Sequence, residues 1–156
     1  MEARPPFEIE FYEDEHGKKP ALDWIKRDLT EYQRRVIGLA MNEILQYEGT
    51  GVCDGEWGKA LGGGLYEFRV RHGPSEIFSR SRSPRTVRLR AAGLIKRVLP
   101  SSEKILLRVF FHQHGDKLLI LLSGYDKGRS PSKRRQQKEI ERARARLPRW
   151  RERQRS

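Results

Sequence analysis

The sequence predicts an α+β fold: a small, mainly antiparallel sheet with two N-terminal helices packed on one face and a C-terminal helix. Three observations lead there. Residues 59–71, KALGGGLYEFRVR, set a glycine-rich turn ahead of a strand that alternates Tyr66, Phe68 and Val70 with Glu67, Arg69 and Arg71, and successive strand side chains point to opposite faces. Residues 104–112, KILLRVFFH, repeat the pattern, with Ile105, Leu107, Val109 and Phe111 on one face and Arg108 on the other. These strands follow a pair of helix patterns instead of alternating with them, the order expected of one helical layer on a sheet.

Taken in order, residues 6–12 alternate Phe7, Ile9 and Phe11 with Glu8 and Glu10, the period of a half-buried strand. After a loop at His16 and Gly17, Pro20 suits the first position of a helix with Leu22, Ile25 and Leu29 on one face. Thr30 caps a longer helix in which Tyr32, Val36, Ala40 and Ile44 recur every four residues and Ile37, Met41 and Leu45 widen the stripe. Gly49 to Gly51 end it, and GVCDGEWGK reads as irregular. The glycines at 62–64 read as a tight turn; with no strand before them and no helix after, the phosphate-loop and dinucleotide fingerprints fail.

Residues 72–103 interrupt what would otherwise be consecutive strands. EIFSR and TVRLR have strand character, AAGLIKRVL suits a short helix before Pro100, and the many arginines fit either a phosphate-gripping arm or a mobile loop. The strand at 104–112 turns through His114, Gly115 and Asp116 into KLLILLSGY, a central strand buried on both faces. Ser130 and Pro131 read as the cap and first position of a basic helix with Ile140, Ala143 and Leu147 on one face; Pro148 ends it, leaving a frayed tail. The expected organisation is one domain over 1–148 with an insertion at about 72–103, and a basic tail over 149–156.

A chain of 156 residues fits one domain with a real core. The single cysteine, Cys53, excludes an internal disulfide and suits a reducing compartment. The acidic start lacks the positive-then-apolar order of a signal peptide, and no apolar run approaches the roughly 18 residues of a membrane span; the expectation is a cytoplasmic protein with no membrane partner. The net charge of +12 is uneven: residues 1–58 carry 7 Lys and Arg against 13 Asp and Glu, whereas residues 129–156 carry 12 against 3. A basic second half is the signature of a polyanion partner.

The sheet face away from the helices is expected to be open and to carry Glu67, Arg69 and Arg108, with Tyr125 and Lys127 just past the last strand. No His and Cys spacing matches a zinc site, so no metal or cofactor is expected, and nothing supports covalent catalysis. A cationic surface with few carboxylates suits a phosphodiester, because guanidinium forks bind phosphate oxygens in pairs and stabilise the extra charge of a pentacovalent transition state. RNA supplies its own nucleophile, the 2′-hydroxyl; the protein must accept that proton and protonate the leaving oxygen. Lys59, Lys127, Tyr125 or a histidine are the candidates, and free Lys and Tyr titrate near 10, so their surroundings must tune them.

The order FEIEFYEDEHGKKPALDWI, KALGGGLYEFRVR, LLRVFF, LLILLSGYDKG and SPSKRRQQKEIERARARL resembles the RelE/ParE superfamily of toxins from bacterial toxin–antitoxin pairs, nearest the HigB-like, phage-related branch. The resemblance covers nearly the whole chain apart from residues 72–103 and the last few. It implies a RelE-like fold and a ribosome-dependent, metal-free endoribonuclease, an mRNA interferase that arrests translation and is neutralised by a cognate antitoxin, helix-turn-helix and HigA-like. By position it implies phosphate binding and charge stabilisation at Arg69 and Arg108, and proton transfer or base stacking at Lys127 and Tyr125. Lys59, Glu67, Arg71 and His112 are the further RNA-contacting candidates, with Asp126 and His112 as the candidate counterparts of the HigB-type Asp and His positions. Two alternatives share the pattern: a ParE-like, non-enzymatic topoisomerase poison, and a basic nucleic-acid-binding module.

Overall fold

The computed structural model describes residues 4–95 and 104–155. Five strands form one sheet in the order β1-β5-β4-β3-β2: β1 (Glu8–Phe11), β2 (Gly58–Gly62), β3 (Leu65–Val70), β4 (Leu107–His114) and β5 (Leu118–Asp126). β1 lies parallel to β5 and every other pair is antiparallel. The architecture is α+β, as the sequence predicts.

The helical layer begins with α1 (Pro20–Asp23), which opens on Pro20 and runs into a wider π-type turn over Trp24–Asp28. Helix α2 (Glu31–Ala40) follows, continuing through a π segment (Met41–Leu45) and a last turn, α3 (Gln46–Glu48). Thr30 caps α2 in a reciprocal box: its hydroxyl accepts from the Gln33 backbone N–H at 3.1 Å while the Gln33 side chain accepts from the Thr30 N–H at 2.9 Å. The stripe Val36, Ile37, Ala40, Met41, Ile44 and Leu45 is buried against Phe68, Val70, Leu107, Val109, Phe111, Leu119 and Leu121 of the sheet.

The region around the triple glycine differs from expectation. Residues 58–62 are not a lead-in turn but an edge strand, β2, and the glycines join it to β3: Gly62, Gly63 and Gly64 all have positive φ, 87°, 66° and 85°, a run that residues with a Cβ rarely adopt. The insertion differs too. EIFSR and TVRLR are helical, in α4 (Pro74–Arg80) and α5 (Pro84–Ala91). Each starts with proline at a first-turn position, and Ser83 caps α5 through the Thr86 N–H at 3.1 Å; these boundary residues outweigh the β-branched content that suggested strands. The helix expected in AAGLIKRVL contributes its first residue to the end of α5, and from Lys96 onward lies outside the described residues.

The insertion packs on the helical layer, with Ile77 in the helix-side core. A buried carboxylate fastens it: Glu43, 4% exposed, accepts from the hydroxyls of Ser83 and of Thr86, the latter at 3.1 Å, while the Ser81 hydroxyl donates to the Glu43 carbonyl at 2.9 Å. Arg80 pairs with Glu48 nearby.

The opposite sheet face is not open. Helix α6 (Lys133–Arg155) crosses it and buries Ala143, Leu147 and Trp150 against Tyr12, Leu65, Phe110, Ile120, Leu122 and Tyr125. The cap is Ser132, whose hydroxyl accepts from the Arg135 N–H at 3.1 Å, two residues later than Ser130 and Pro131 suggested. Pro148 does not end the helix. It sits on the exposed side, and Trp150, 2% exposed and packed edge-on to His114 at 5.1 Å, holds the following turn in place, offsetting the hydrogen bond that proline removes.

Candidate nucleic-acid interface

Cross-strand partners share a face, so the register arranges the α6-side residues in two rows. Lys59 of β2, Glu67 of β3, Phe110 of β4 and Ser123 of β5 form one; Arg69, Arg108 and Tyr125 form the other. A bulge makes this possible on β5. Phe110 pairs with Ser123 but Phe111 pairs with Leu121, so Leu122 is the extra residue, and the inward phase moves from Ile120 and Leu122 to Ser123 and Tyr125. The Leu122 carbonyl accepts from Arg146 of α6 at 2.7 Å, and Ser123 donates to Glu139 of α6 at 2.8 Å. On the other face, Gly124 lies under the Trp24 ring, where any Cβ would collide.

Arg69 and Arg108 stand directly opposite each other, a like-charge pair that destabilises a sheet unless compensated. Glu67 compensates. Fully buried, it accepts from Arg69 Nε at 2.5 Å, lies 3.8 Å from Arg108 Nε, and accepts from Gln136 of α6 at 3.3 Å. One carboxylate thus serves two guanidinium groups, leaving an excess positive charge. Arg108 is only 2% exposed, and its Nε and Nη1 are buried without a hydrogen-bond partner; the Tyr125 hydroxyl is in the same condition. Leaving such donors unmade costs about 1–3 kcal/mol each. Burial also pulls the Arg108 pKa below its ordinary value, opposed by Glu67 and reinforced by Arg69 and Arg71.

Tyr125 lies within β5 and not beyond it, stacked on Phe110 at 6.2 Å with Arg135 over its ring at 5.6 Å. That enclosure leaves no ring face for a nucleobase. Burial, then Glu67, pushes its pKa up to about 12, which keeps the phenol protonated as a donor and disqualifies it as a base. Lys127 is half-buried at the rim, its backbone N–H bonded to the Leu106 carbonyl at 2.9 Å. Burial, then Arg108, lowers its pKa, the direction a proton acceptor needs.

The remaining candidates divide. Lys59 is exposed on the edge strand in the Glu67 row, and Arg71 is exposed just past β3, close enough to act electrostatically on Arg108 and Lys127. His112 does not join them. It lies four residues along β4 from Arg108, roughly 13 Å at strand rise, with Nδ1 bonded to the Gly64 carbonyl at 2.6 Å and its ring 6.0 Å from Trp150. Asp126 is occupied structurally, accepting from Gln33 at 2.8 Å and from the Gly128 N–H at 2.9 Å. Burial raises the Cys53 thiol pKa, the wrong direction for a nucleophile.

Arg135, Gln136 and Glu139 were missed. Glu139, 3% exposed, gathers Ser123, Arg135 at 3.0 Å and Arg142 at 2.8 Å. The signal was present as a helical i, i+4, i+7 spacing of Arg135, Glu139 and Arg142 around the one acid in residues 127–140. Among the described residues no cluster of three or more His, Cys, Asp or Glu could hold a metal, and no helix is long and apolar enough to cross a membrane. Chemically, the arrangement concentrates positive charge: two guanidinium groups share one buried carboxylate, a lysine stands at the rim, and the Arg108 and Tyr125 donors that lack hydrogen bonds are enclosed beneath α6. No protein-family model, curated protein or solved structure matches this chain.

Proposed function

We propose that this chain is a RelE/ParE-type toxin of the HigB-like kind, an endoribonuclease that cuts messenger RNA on the ribosome at the Arg69–Arg108 seat and is restrained by a helix-turn-helix, HigA-like antitoxin. The observation that carries the reading is Arg108: a nearly fully buried guanidinium with two nitrogens that make no hydrogen bond, beside a second arginine with which it shares one carboxylate. Two non-bridging phosphate oxygens would satisfy those donors and balance the excess charge. In this reading Lys127, with its lowered pKa, takes the 2′-hydroxyl proton, Arg69 and Arg108 stabilise the dianionic transition state, and the protonated Tyr125 gives a proton to the departing 5′-oxygen. Glu67 orients Arg69 through its 2.5 Å contact.

A second reading, binding without cleavage, draws support from the same burial, since Arg108 and Tyr125 lie under α6 where a scissile phosphate must reach them. One experiment separates them: controlled expression of the wild type and of Arg69→Ala/Arg108→Ala, with 5′-end mapping of cellular RNA. Growth arrest with new message ends, both lost in the double variant, is the expected result. Arrest with intact messages would sink the nuclease reading in favour of a binding module or a topoisomerase poison.

A further inference from the structure

Helix α6 breaks an electrostatic rule at the point where it meets the seat. The N-terminal end of a helix carries partial positive charge and favours acids, yet the first turn of α6 holds Lys133, Arg134 and Arg135 and no acid. Across residues 127–138 there are six cations and no Asp or Glu. Arg135 is drawn inward by Glu139 and over Tyr125. Lys133, Arg134 and Lys138 are exposed, and no hydrogen bond or ion pair engages their side chains among the described residues. Such a violation persists where a ligand compensates it. A second, independent feature adjoins it: Arg108, with two buried nitrogens that make no hydrogen bond, lies 3.8 Å from Glu67, and Glu67 accepts from Gln136 in the second turn of α6 at 3.3 Å.

We infer that the first two turns of α6 form a track for the single-stranded RNA flanking the seat, its phosphates held by Lys133, Arg134 and Lys138. Arg134 and Lys138 are one turn apart and share a face. The composition selects nucleic acid over an acidic protein segment: residues 127–138 contain no aliphatic or aromatic side chain apart from Pro131, whereas protein interfaces centre on buried apolar or aromatic anchors. The track rests on the proposed function only in taking RNA as the ligand.

The test is fluorescence anisotropy of the full chain with labelled single-stranded 2′-O-methyl RNA, which lacks the nucleophile, across a salt series. Lys133→Glu/Arg134→Glu is compared with Lys26→Glu/Arg27→Glu, which makes the same charge change at exposed positions of the helical layer. The α6 variant should bind about tenfold more weakly, with a salt slope lower by roughly 1.4, the value for two lost single-strand phosphate contacts, and the control should keep the wild-type slope. Equal effects of the two variants, or an unchanged α6 variant, would overturn the track, as would polyglutamate binding with the same α6 dependence while the RNA does not bind. Track dependence without message cleavage in cells would leave the inference standing and remove the nuclease; message cleavage without track dependence would do the reverse.

Discussion

The two faces of the sheet are built on different principles. Toward α2 the strands present Phe68, Val70, Leu107, Val109, Phe111, Leu119 and Leu121, a dry apolar layer. Toward α6 the same strands present Glu67, Arg108, Ser123 and Tyr125 among a smaller apolar set. The first face stabilises by removing hydrocarbon from water, about 25 cal/mol per Å². The second holds charge and donors without hydrogen bonds, which weaken it.

That contrast can be broken by substitution and urea denaturation. The largest effects belong to Phe111→Ala on the dry face, about 3–5 kcal/mol from the lost side chain and its cavity, and to Glu67→Ala, also about 3–5 kcal/mol, because Arg69 and Arg108 are left opposed without a counter-charge. Arg108→Met should instead stay within about 1 kcal/mol of wild type or gain stability, since it removes buried donors without hydrogen bonds, and on the proposed function it should also abolish message cleavage. If Arg108→Met costs as much as Glu67→Ala, the arginine is a structural member of its face and the contrast collapses.

A middle-sized effect sharpens the comparison at the strand where the faces meet. Gly124→Ala drives a methyl into the Trp24 ring and should cost about 1–3 kcal/mol by overpacking, with little change at Tyr125 on the other side.

The smallest effect is in pH. His112, facing the Gly64 carbonyl, Arg151, His114 and Trp150, has its pKa lowered below the ordinary 6.5 by burial. The unfolded chain therefore takes up the proton first on acidification, so this contribution is complete above about pH 6.5, shrinks as the pH falls toward the folded pKa, and is then level. His112→Gln should flatten that part of the stability profile; an unchanged profile would show that the ring is not held neutral.

Alternation made the helix-side face legible, because Phe68, Val70, Val109 and Phe111 repeat with period two and α2 shows its stripe and cap openly. The α6 side was half legible. The pairing of Arg69 with Arg108 followed from strand phase, but the helix lying over them did not, since α6 has a thin apolar seam of Ala143, Leu147 and Trp150 set among arginines and crossed by Pro148. The placement of Tyr125 turned on a one-residue bulge at Leu122, which shifts the inward phase of an apolar run that itself shows no phase. In the insertion, five residues are too few for periodicity to decide between strand and helix, and Pro74, Pro84 and Ser83 carried the better signal.

The fastening of the insertion ties two parts of the gene product together. Glu43 belongs to the helical layer, but its buried carboxylate is satisfied by Ser83 and Thr86 of the insertion. Excising α4 and α5 alone would remove the hydroxyls that Glu43 bonds and open it to water, whereas replacing Glu43 by methionine alone would leave Ser83 and Thr86 bonded only to each other. The arm and its anchor are therefore coupled: a change at Glu43 is felt in the insertion, and a change at Ser83 or Thr86 is felt in the helical layer, so their effects on stability should not add.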